Sequence, residues 1–152
     1  MTKSETMTND KVRNYAEDAF WGEMTGSVVR EDAPARVFDL EERTARFGEA
    51  VIDFAKRIPR SPLTDRLIGQ LVGCGTSVGA NYCEADDAVS RKEFFLRAST
   101  CRKESRETKH FVRMVVCAAP ELKEAARPVW QEAKELNLIF AKICRAKAGN
   151  AE

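Results

Sequence analysis

The chain has 152 residues, of which 43% are hydrophobic, 32% are charged and 8% are aromatic. This length suits one domain with a single core, and this balance excludes a collagen-like fibre and a wholly disordered chain. No apolar run approaches the ~20 residues of a membrane span, so we expect no membrane partner. The 25 basic and 24 acidic residues give a net charge of +1, which by itself indicates no class of ligand.

Residues 1–38 form an N-terminal extension with 7 acidic and 5 basic residues and little periodicity. Within it, residues 14–24 (NYAEDAFWGEM) predict a short helix whose apolar side chains are Tyr15, Phe20 and Trp21. Two interpretations stay open for this arm. It is either a largely flexible extension or a short helix that docks on the body or on a partner.

From Asp39 onward, apolar residues recur at alternating spacings of four and three, which is typical of one face of an amphipathic helix. Four such segments follow one another, and no segment shows the alternation of a strand. Their expected buried faces are Leu40, Thr44, Phe47, Val51, Phe54 and Ile58; Leu67, Leu71, Cys74, Val78 and Tyr82; Phe94, Ala98, Cys101, Ser105, Thr108, Val112 and Val115; and Val129, Ala133, Leu136, Phe140 and Ile143.

Capping residues and prolines predict where these four helices begin. We expect the first to begin after Asp39, the second at Ser61-Pro62, the third after Ser90 and the fourth at about Pro128. Val89 and Phe94 are expected to form a hydrophobic staple around the third start, and Gly149-Asn150 to end the fourth helix. The result is an all-α protein: an up-down-up-down four-helix bundle over residues 39–148, preceded by the extension.

Four glycines lie inside the second predicted helix, where each costs roughly 0.8–1 kcal/mol relative to alanine. We interpret them as small residues that let a neighbouring helix approach closely. Ser77 and Asn81 would then hydrogen-bond across that interface, and three glutamates would lie at helix interfaces or in ion pairs. The predicted interface set is Gly69, Gly73, Gly75, Ser77, Gly79, Asn81, Glu84, Glu104 and Glu107.

Three other interpretations assign these or neighbouring residues to a catalytic, phosphate-binding or metal site. Gly75-Thr76-Ser77-Val78-Gly79 matches the nucleophile-elbow pattern, with Asp86 or Asp87 and then His110 in hydrolase order, but that elbow needs a preceding strand. Gly73-Cys74-Gly75 lacks the lysine and the strand–helix context of a phosphate loop. Glu104, Glu107 and His110 have metal-ligand spacing, yet a di-iron bundle needs two histidines and this chain has one. We expect no enzyme, no cofactor and no metal.

Charge is unevenly distributed between neighbouring helices. Residues 61–88 carry 1 basic and 4 acidic residues, whereas residues 89–120 carry 8 basic and 3 acidic residues. At 100° per residue, five cations share one stripe of the third helix: Arg91, Arg102, Arg106, Lys109 and Arg113. The stripe either is a solvated face paired with carboxylates such as Glu84, Asp86 and Asp87, or binds the phosphates of RNA or DNA.

The five cysteines form no Cys-x-x-Cys pair, and an odd number at wide spacing is unlike a secreted disulfide framework. The N-terminus also lacks the apolar segment of a signal peptide. We therefore expect a cytoplasmic protein with reduced thiols.

Several short sequences in fixed order carry a family resemblance. They are Gln70-Leu71, residues 75–81 (GTSVGAN), Glu84-Ala85, Ser90 with Phe94, residues 103–108 (KESRET), and, in the first helix, Phe47, Val51, Ile52 and Ile58-Pro59. Through them, residues 39–147 resemble the bacterial four-helix-bundle protein family, also called the 23S ribosomal RNA intervening-sequence protein family.

The resemblance implies a bundle that assembles as a homopentamer and has no established enzymatic activity. A related branch of the family supplies the accessory protein of diversity-generating retroelements, which works with a reverse transcriptase and nucleic acid. The long N-terminal arm is not part of the family pattern.

Residues and resemblance together predict a non-catalytic oligomeric bundle, pentameric by the resemblance, that binds nucleic acid or a nucleoprotein partner through the basic stripe. The alternative is a protein-interaction scaffold, in which the charges serve subunit assembly and residues 1–38 recruit a partner.

Overall fold

A computed structural model describes residues 8–22 and 39–149. The chain divides into two units, Met1–Arg36 and Val37–Glu152. Every described element is helical, and the described residues contain no strand, so the predicted all-α class is confirmed.

In the first unit, α1 spans Asn9–Trp21, so it begins five residues before the predicted helix. Gly22 ends it with φ 79°, a left-handed conformation that favours glycine, and the Gly22 N–H donates to the carbonyl of Asp18 at 2.8 Å. The end of the predicted segment, residues 23 and 24, lies outside the described residues.

The second unit contains four long helices: α2 (Leu40–Ala55), α3 (Pro62–Asp86), α4 (Arg91–Ala118) and α5 (Lys123–Gly149). A 3-10 turn over Pro120–Leu122 joins α4 to α5. In the described part of this unit, each helix packs against its neighbours in the chain, and α5 also packs against α2. Because the links are short, successive helices run antiparallel, which gives the four-helix bundle that the spacing predicted.

Three of the predicted helix starts are confirmed by side-chain caps. Asp39 accepts a hydrogen bond from the N–H of Glu42 at 3.1 Å, Ser61 accepts one from Thr64 at 3.1 Å, and Ser90 accepts one from Glu93 at 3.1 Å. The Glu93 carboxylate reaches back to the N–H of Val89 at 3.2 Å.

Two predictions at helix ends are wrong. Val89 is 95% exposed, so it forms no staple with Phe94. The fourth bundle helix begins at Lys123, and Pro128 lies inside it. Proline removes only the bond to the carbonyl of Glu124 in the first turn, while the buried Ala126 and Val129 continue the apolar face through it.

The predicted apolar seams form the core of the bundle. Its largest fully buried aliphatic and aromatic side chains come from all four helices: Phe47 and Val51, Leu71 and Val78, Val112 and Val115, and Leu136 and Phe140. Thr44, Ser105 and Thr108 are also buried, and each hydroxyl donates to a carbonyl one turn earlier on its own helix. Each buried hydroxyl therefore has its hydrogen-bond partner within its own helix.

Arg43 joins the two helices that are farthest apart in the bundle sequence. Its guanidinium donates to both carboxylate oxygens of Glu132, at 2.7 and 3.0 Å, and to Glu135 at 2.7 Å. The hydrogen bond to Glu132 is the main reason that the pKa of Arg43 is raised. This half-buried ion pair links α2 to α5.

Candidate nucleic-acid interface

The inward-facing seam of α4 determines which of its cations reach solvent. Because Cys101, Ser105, Thr108 and Val112 face the core, Arg102, Arg106 and Arg113 lie on the outer side and are exposed. Arg102 and Arg106 form no ion pair with any described residue. We call Arg102, Arg106, Lys109 and Arg113 the α4 basic face.

Lys109 lies at the edge of this face, where α4 meets α5. It is half-buried, and its Nζ is 5.1 Å from the ring centroid of Trp130. The Nζ of Lys134, on α5, is 5.2 Å from the same ring. Two ammonium groups therefore share one indole, a cation–π arrangement that holds positive charge where the two helices meet.

Lys134 was not among the predicted site residues, because the charge counted along one helix does not show what the next helix adds. The pairing becomes visible only once Trp130 is placed between α4 and α5.

Arg91 does not continue the α4 basic face. It precedes Arg102 by 11 residues, which is about 16 Å of helix at 1.5 Å per residue. Its guanidinium carbon lies 5.8 Å from the ring centroid of Phe95, at the start of α4. The predicted stripe of five cations is thus a group of four with Arg91 apart.

The acidic end of α3 pairs with a different cation from those in the stripe. Glu84 accepts from Arg97 at 2.7 Å, across the boundary between α3 and α4. Arg97 lies on the side of α4 that faces α3, so this ion pair fixes the two helices and leaves Arg102 and Arg106 unneutralised. Glu84 therefore joins α3 to α4 through an ion pair.

Glu104 and Glu107 differ in burial: Glu104 is half-buried, whereas Glu107 is exposed. Burial, together with the negative charge of Glu107, raises the pKa of the half-buried Glu104 carboxyl. Burial is the main cause of the raised pKa of the Cys74 thiol on α3, and the negative charges of Glu104 and Glu107 both add to it. Glu107 is exposed, forms no ion pair with a described residue, and borders a depression that it shares with Gln70 of α3.

The four α3 glycines divide into two pairs. A Cβ on Gly75 would lie 2.7 Å from Cγ1 of Val51, and one on Gly79 would lie 3.3 Å from the carbonyl oxygen of Thr44. The absence of a side chain at these two glycines allows α2 to pack closely against α3. Gly69 and Gly73 are exposed, and nothing lies within 4 Å of a Cβ built on either.

Within the chain, close approach by a neighbouring helix therefore accounts for Gly75 and Gly79 and not for Gly69 and Gly73. Gly73 and Gly75 are two residues apart, which is 200° around a helix, so they lie on opposite sides.

Ser77 and Asn81 bond along α3 rather than across it. The Ser77 hydroxyl donates to the carbonyl of Gly73 at 2.7 Å, and the Asn81 amide donates to the carbonyl of Ser77 at 2.9 Å. The expectation of hydrogen bonds between helices at these two residues is wrong. A hydroxyl or amide in a helix interior has a carbonyl one turn earlier within reach.

The residues of the hydrolase reading are not brought together. Ser77 lies in the middle of α3, without the strand-to-helix turn of a nucleophile elbow. Asp86 ends α3 beside the start of α4, whereas His110 is 19 residues along α4, roughly 28 Å at 1.5 Å per residue. Among the described residues, no three histidine, cysteine or acidic side chains are grouped for a metal ion.

The two core cysteines are poor nucleophiles. Burial raises the pKa of the Cys101 thiol to about 12, and burial is also the main cause of the raised pKa of Cys74. Their sulfurs bond inside the bundle: the Cys101 thiol donates to the carbonyl of Val78, and the Cys74 thiol donates to the carbonyl of Leu71. Both thiols stay protonated at neutral pH, so they serve as packing groups.

The described helices include none that is long and apolar enough to cross a bilayer. No protein-family model and no curated protein matches this chain.

A solved structure has the same fold. It is the crystal structure of a protein of unknown function from the S23 ribosomal protein family of Bacteroides thetaiotaomicron. The two chains are 21% identical, and the match covers 69% of this chain and 97% of that chain with a TM-score of 0.62. At 21% identity, this similarity shows a shared fold and nothing about a shared function.

Proposed function

We propose that this protein is a non-catalytic, oligomeric four-helix bundle that binds nucleic acid or a nucleoprotein partner through the α4 basic face. The observation that carries the proposal is the exposure of Arg102 and Arg106 with no carboxylate paired to either among the described residues. Arg97, five residues before Arg102 on the same helix, pairs with Glu84, so an α4 cation is neutralised where a carboxylate of α3 is within reach.

Arginine on such a surface suits phosphate. A guanidinium binds two phosphate oxygens at once, and its charge displaces condensed counterions from the nucleic-acid backbone. The chain as a whole is nearly neutral, so this local excess is the feature that favours a polyanion over other partners. The structural neighbour belongs to a family named for a ribosomal protein, which makes RNA the first ligand to test.

We propose further that the protein belongs to the intervening-sequence family and that it assembles as a pentamer. This proposal rests on the sequence resemblance, and the shared bundle fold supports it. Exposed Gly69 and Gly73 add a surface open to close approach by a second copy. A reverse transcriptase is one nucleoprotein partner that the resemblance offers.

Charge reversal tests the proposed binding face. We expect the full chain to bind fluorescein-labelled RNA with an affinity that falls steeply as salt rises. Arg102→Glu/Arg106→Glu should weaken binding at least tenfold and reduce the slope of log affinity against log salt by about 2, since two phosphate contacts are lost. Fluorescence anisotropy across a salt series measures both quantities.

The matched control is Arg57→Glu/Arg66→Glu, which makes the same change in net charge at two exposed arginines away from α4, one in the link between α2 and α3 and one on α3. Circular dichroism should show both double variants folded. Binding that does not depend on salt, or an equal loss in the control, would refute a role for the α4 basic face.

The scaffold alternative draws on α1, a formed helix in the extension whose Phe20 and Trp21 rings contact edge to face at 5.1 Å. In that case, charge reversal on α4 should lower the oligomeric mass, and deletion of residues 1–38 should abolish capture of a protein partner. If our proposal holds, the mass stays constant in the α4 variant, and RNA binding persists after the deletion. Light scattering on the same samples separates the two.

A further inference from the structure

The outer side of α4 carries a shallow, solvent-open depression that continues onto α3. It is lined by Gln70 of α3 and by Lys103, Arg106, Glu107, His110 and Phe111 of α4. Arg106 also belongs to the α4 basic face, so the depression adjoins the proposed phosphate-binding surface. None of its four charged or imidazole side chains forms an ion pair with a described residue.

This depression brings together three kinds of group. Lys103 and Arg106 supply positive charge. His110 is an exposed aromatic ring, held edge to face against the half-buried Phe111 with a centroid distance of 5.2 Å. The Gln70 amide and the Glu107 carboxylate supply a donor and acceptors at its border.

A phosphate alone is bound by cationic groups. A nucleotide also uses an aromatic ring for its base, and an amide and a carboxylate for the edge of that base. Bases stack on aromatic rings, and their edges pair with amides and carboxylates.

The packing of α4 decides between single-stranded and duplex nucleic acid. Reading base edges in a duplex requires a helix or ribbon that projects into a major groove about 12 Å wide. In this bundle α4 is flanked by α3 on one side and α5 on the other, at the usual interaxial distance of about 8–10 Å. A helix packed on both sides in this way presents a broad outer surface, which suits phosphates and unpaired bases better than the floor of a duplex groove.

We propose that the depression binds one nucleotide of a single-stranded nucleic acid, with its phosphate on Lys103 and Arg106 and its base stacked on His110. Gln70 and Glu107 border the base edge. This inference rests on the proposed function, which it narrows from nucleic acid in general to unpaired strands. It also assigns His110, Gln70 and Lys103 to the site, none of which belongs to the basic stripe.

The test compares three labelled probes with nearly the same number of phosphates: a 24-nucleotide oligothymidylate, an abasic 24-mer, and a 12-base-pair duplex, which has 24 nucleotides in all. We expect the oligothymidylate to bind at least tenfold more tightly than the abasic strand, since stacking adds to the phosphate contacts. The duplex should bind no better than the abasic strand. Anisotropy with the full chain gives all three affinities.

Substitution at His110 separates stacking from charge. His110→Ala should weaken oligothymidylate binding about tenfold or more and leave abasic binding unchanged, whereas His110→Tyr should retain tight binding because it keeps a ring. Arg106→Gln should weaken all three probes. His110 is exposed, so we expect each variant to melt like the wild-type protein.

Equal affinity for the oligothymidylate and the duplex, or no effect of His110→Ala on the oligothymidylate, would overturn the single-strand inference while leaving the proposed function standing. If none of the three probes binds and the labelled RNA does not bind either, both proposals fail together.

Discussion

Glu104 illustrates how one partly buried carboxylate affects stability. Its pKa is raised, first by burial and then by the charge of Glu107. A carboxyl whose folded-state pKa lies above its unfolded value binds protons more tightly in the folded state. The free energy of unfolding therefore falls as pH rises through that interval, and the penalty is fully present above the raised pKa.

Replacing the carboxyl with an amide should remove this penalty. We expect Glu104→Gln to raise the free energy of unfolding at pH 7 by no more than about 0.5 kcal/mol, since the group is partly solvated. At a pH below the ordinary carboxyl value of 4.5, both forms are neutral and the gain should vanish. Urea titrations of wild type and variant at pH 7 and pH 3 measure the difference. The same gain at both pH values would point to packing rather than charge.

At the scale of the helix, α3 contains its own matched pair of substitutions. Gly75→Ala places a Cβ 2.7 Å from Cγ1 and 2.8 Å from Cγ2 of Val51, a fully buried, β-branched side chain with little room to move. Overpacking of this kind costs about 1–3 kcal/mol. Gly73→Ala meets nothing within 4 Å and gains the helix propensity of alanine, about 0.8–1 kcal/mol.

We therefore expect the two alanine variants to move in opposite directions. Gly73→Ala should raise the free energy of unfolding, and Gly75→Ala should lower it, as measured by urea denaturation at a protein concentration low enough to keep the chain monomeric. A Gly75→Ala protein as stable as Gly73→Ala would mean that α2 does not approach α3 as closely as the structure shows.

Helix positions could be predicted from the sequence because capping and spacing are local. Asp39, Ser61 and Ser90 each bond to an N–H three residues later, within one turn. The start of α5 could not be predicted in this way, because proline is typical of a helix start and Pro128 lies inside α5. Burial of Ala126 and Val129 continues the helix on both sides of Pro128. That burial depends on the other three helices.

The candidate site divides in the same way. The spacing of the α4 seam is sufficient to predict that Arg102 and Arg106 face outward. Which carboxylate pairs with Arg97, and the presence of Lys134 beside Lys109, depend on the neighbouring helices. Gly69 and Gly73 could be identified as unusual from the sequence, but their exposure requires knowing which side of α3 meets α2.

At the scale of the whole molecule, the exposed glycines remain unexplained by the packing of a single chain. Helical spacing places Gly69, Gly73, Thr76 and Ala80 along one side of α3, and we call these residues the α3 small-residue face. A groove between α2 and α3 adjoins the α3 small-residue face. It is lined in part by Ala45, Gly48 and Ile52, and Ile52 is 38% exposed. Small residues beside an exposed isoleucine leave the backbone open to close approach by a helix of a second copy.

If the α3 small-residue face is a subunit interface, bulk at its centre should separate the subunits without unfolding them. We expect Gly69→Gln/Gly73→Gln to reduce the mass measured by light scattering from that of an oligomer to that of one chain. The thermal unfolding of the separated chain should be preserved, because both positions have open space for a side chain. Ala50→Gln, at an exposed alanine of α2, is the control and should stay oligomeric.

The same experiment bears on how assembly and binding are related. Oligomers present several copies of the α4 basic face, so their affinity for a long strand exceeds that of one chain through avidity. The glutamine variant should therefore bind a short oligonucleotide as the wild type does and bind a long one more weakly. A wild-type protein that is already monomeric, or a double variant of unchanged mass, would rule out this interface and leave the two glycines without a role in assembly.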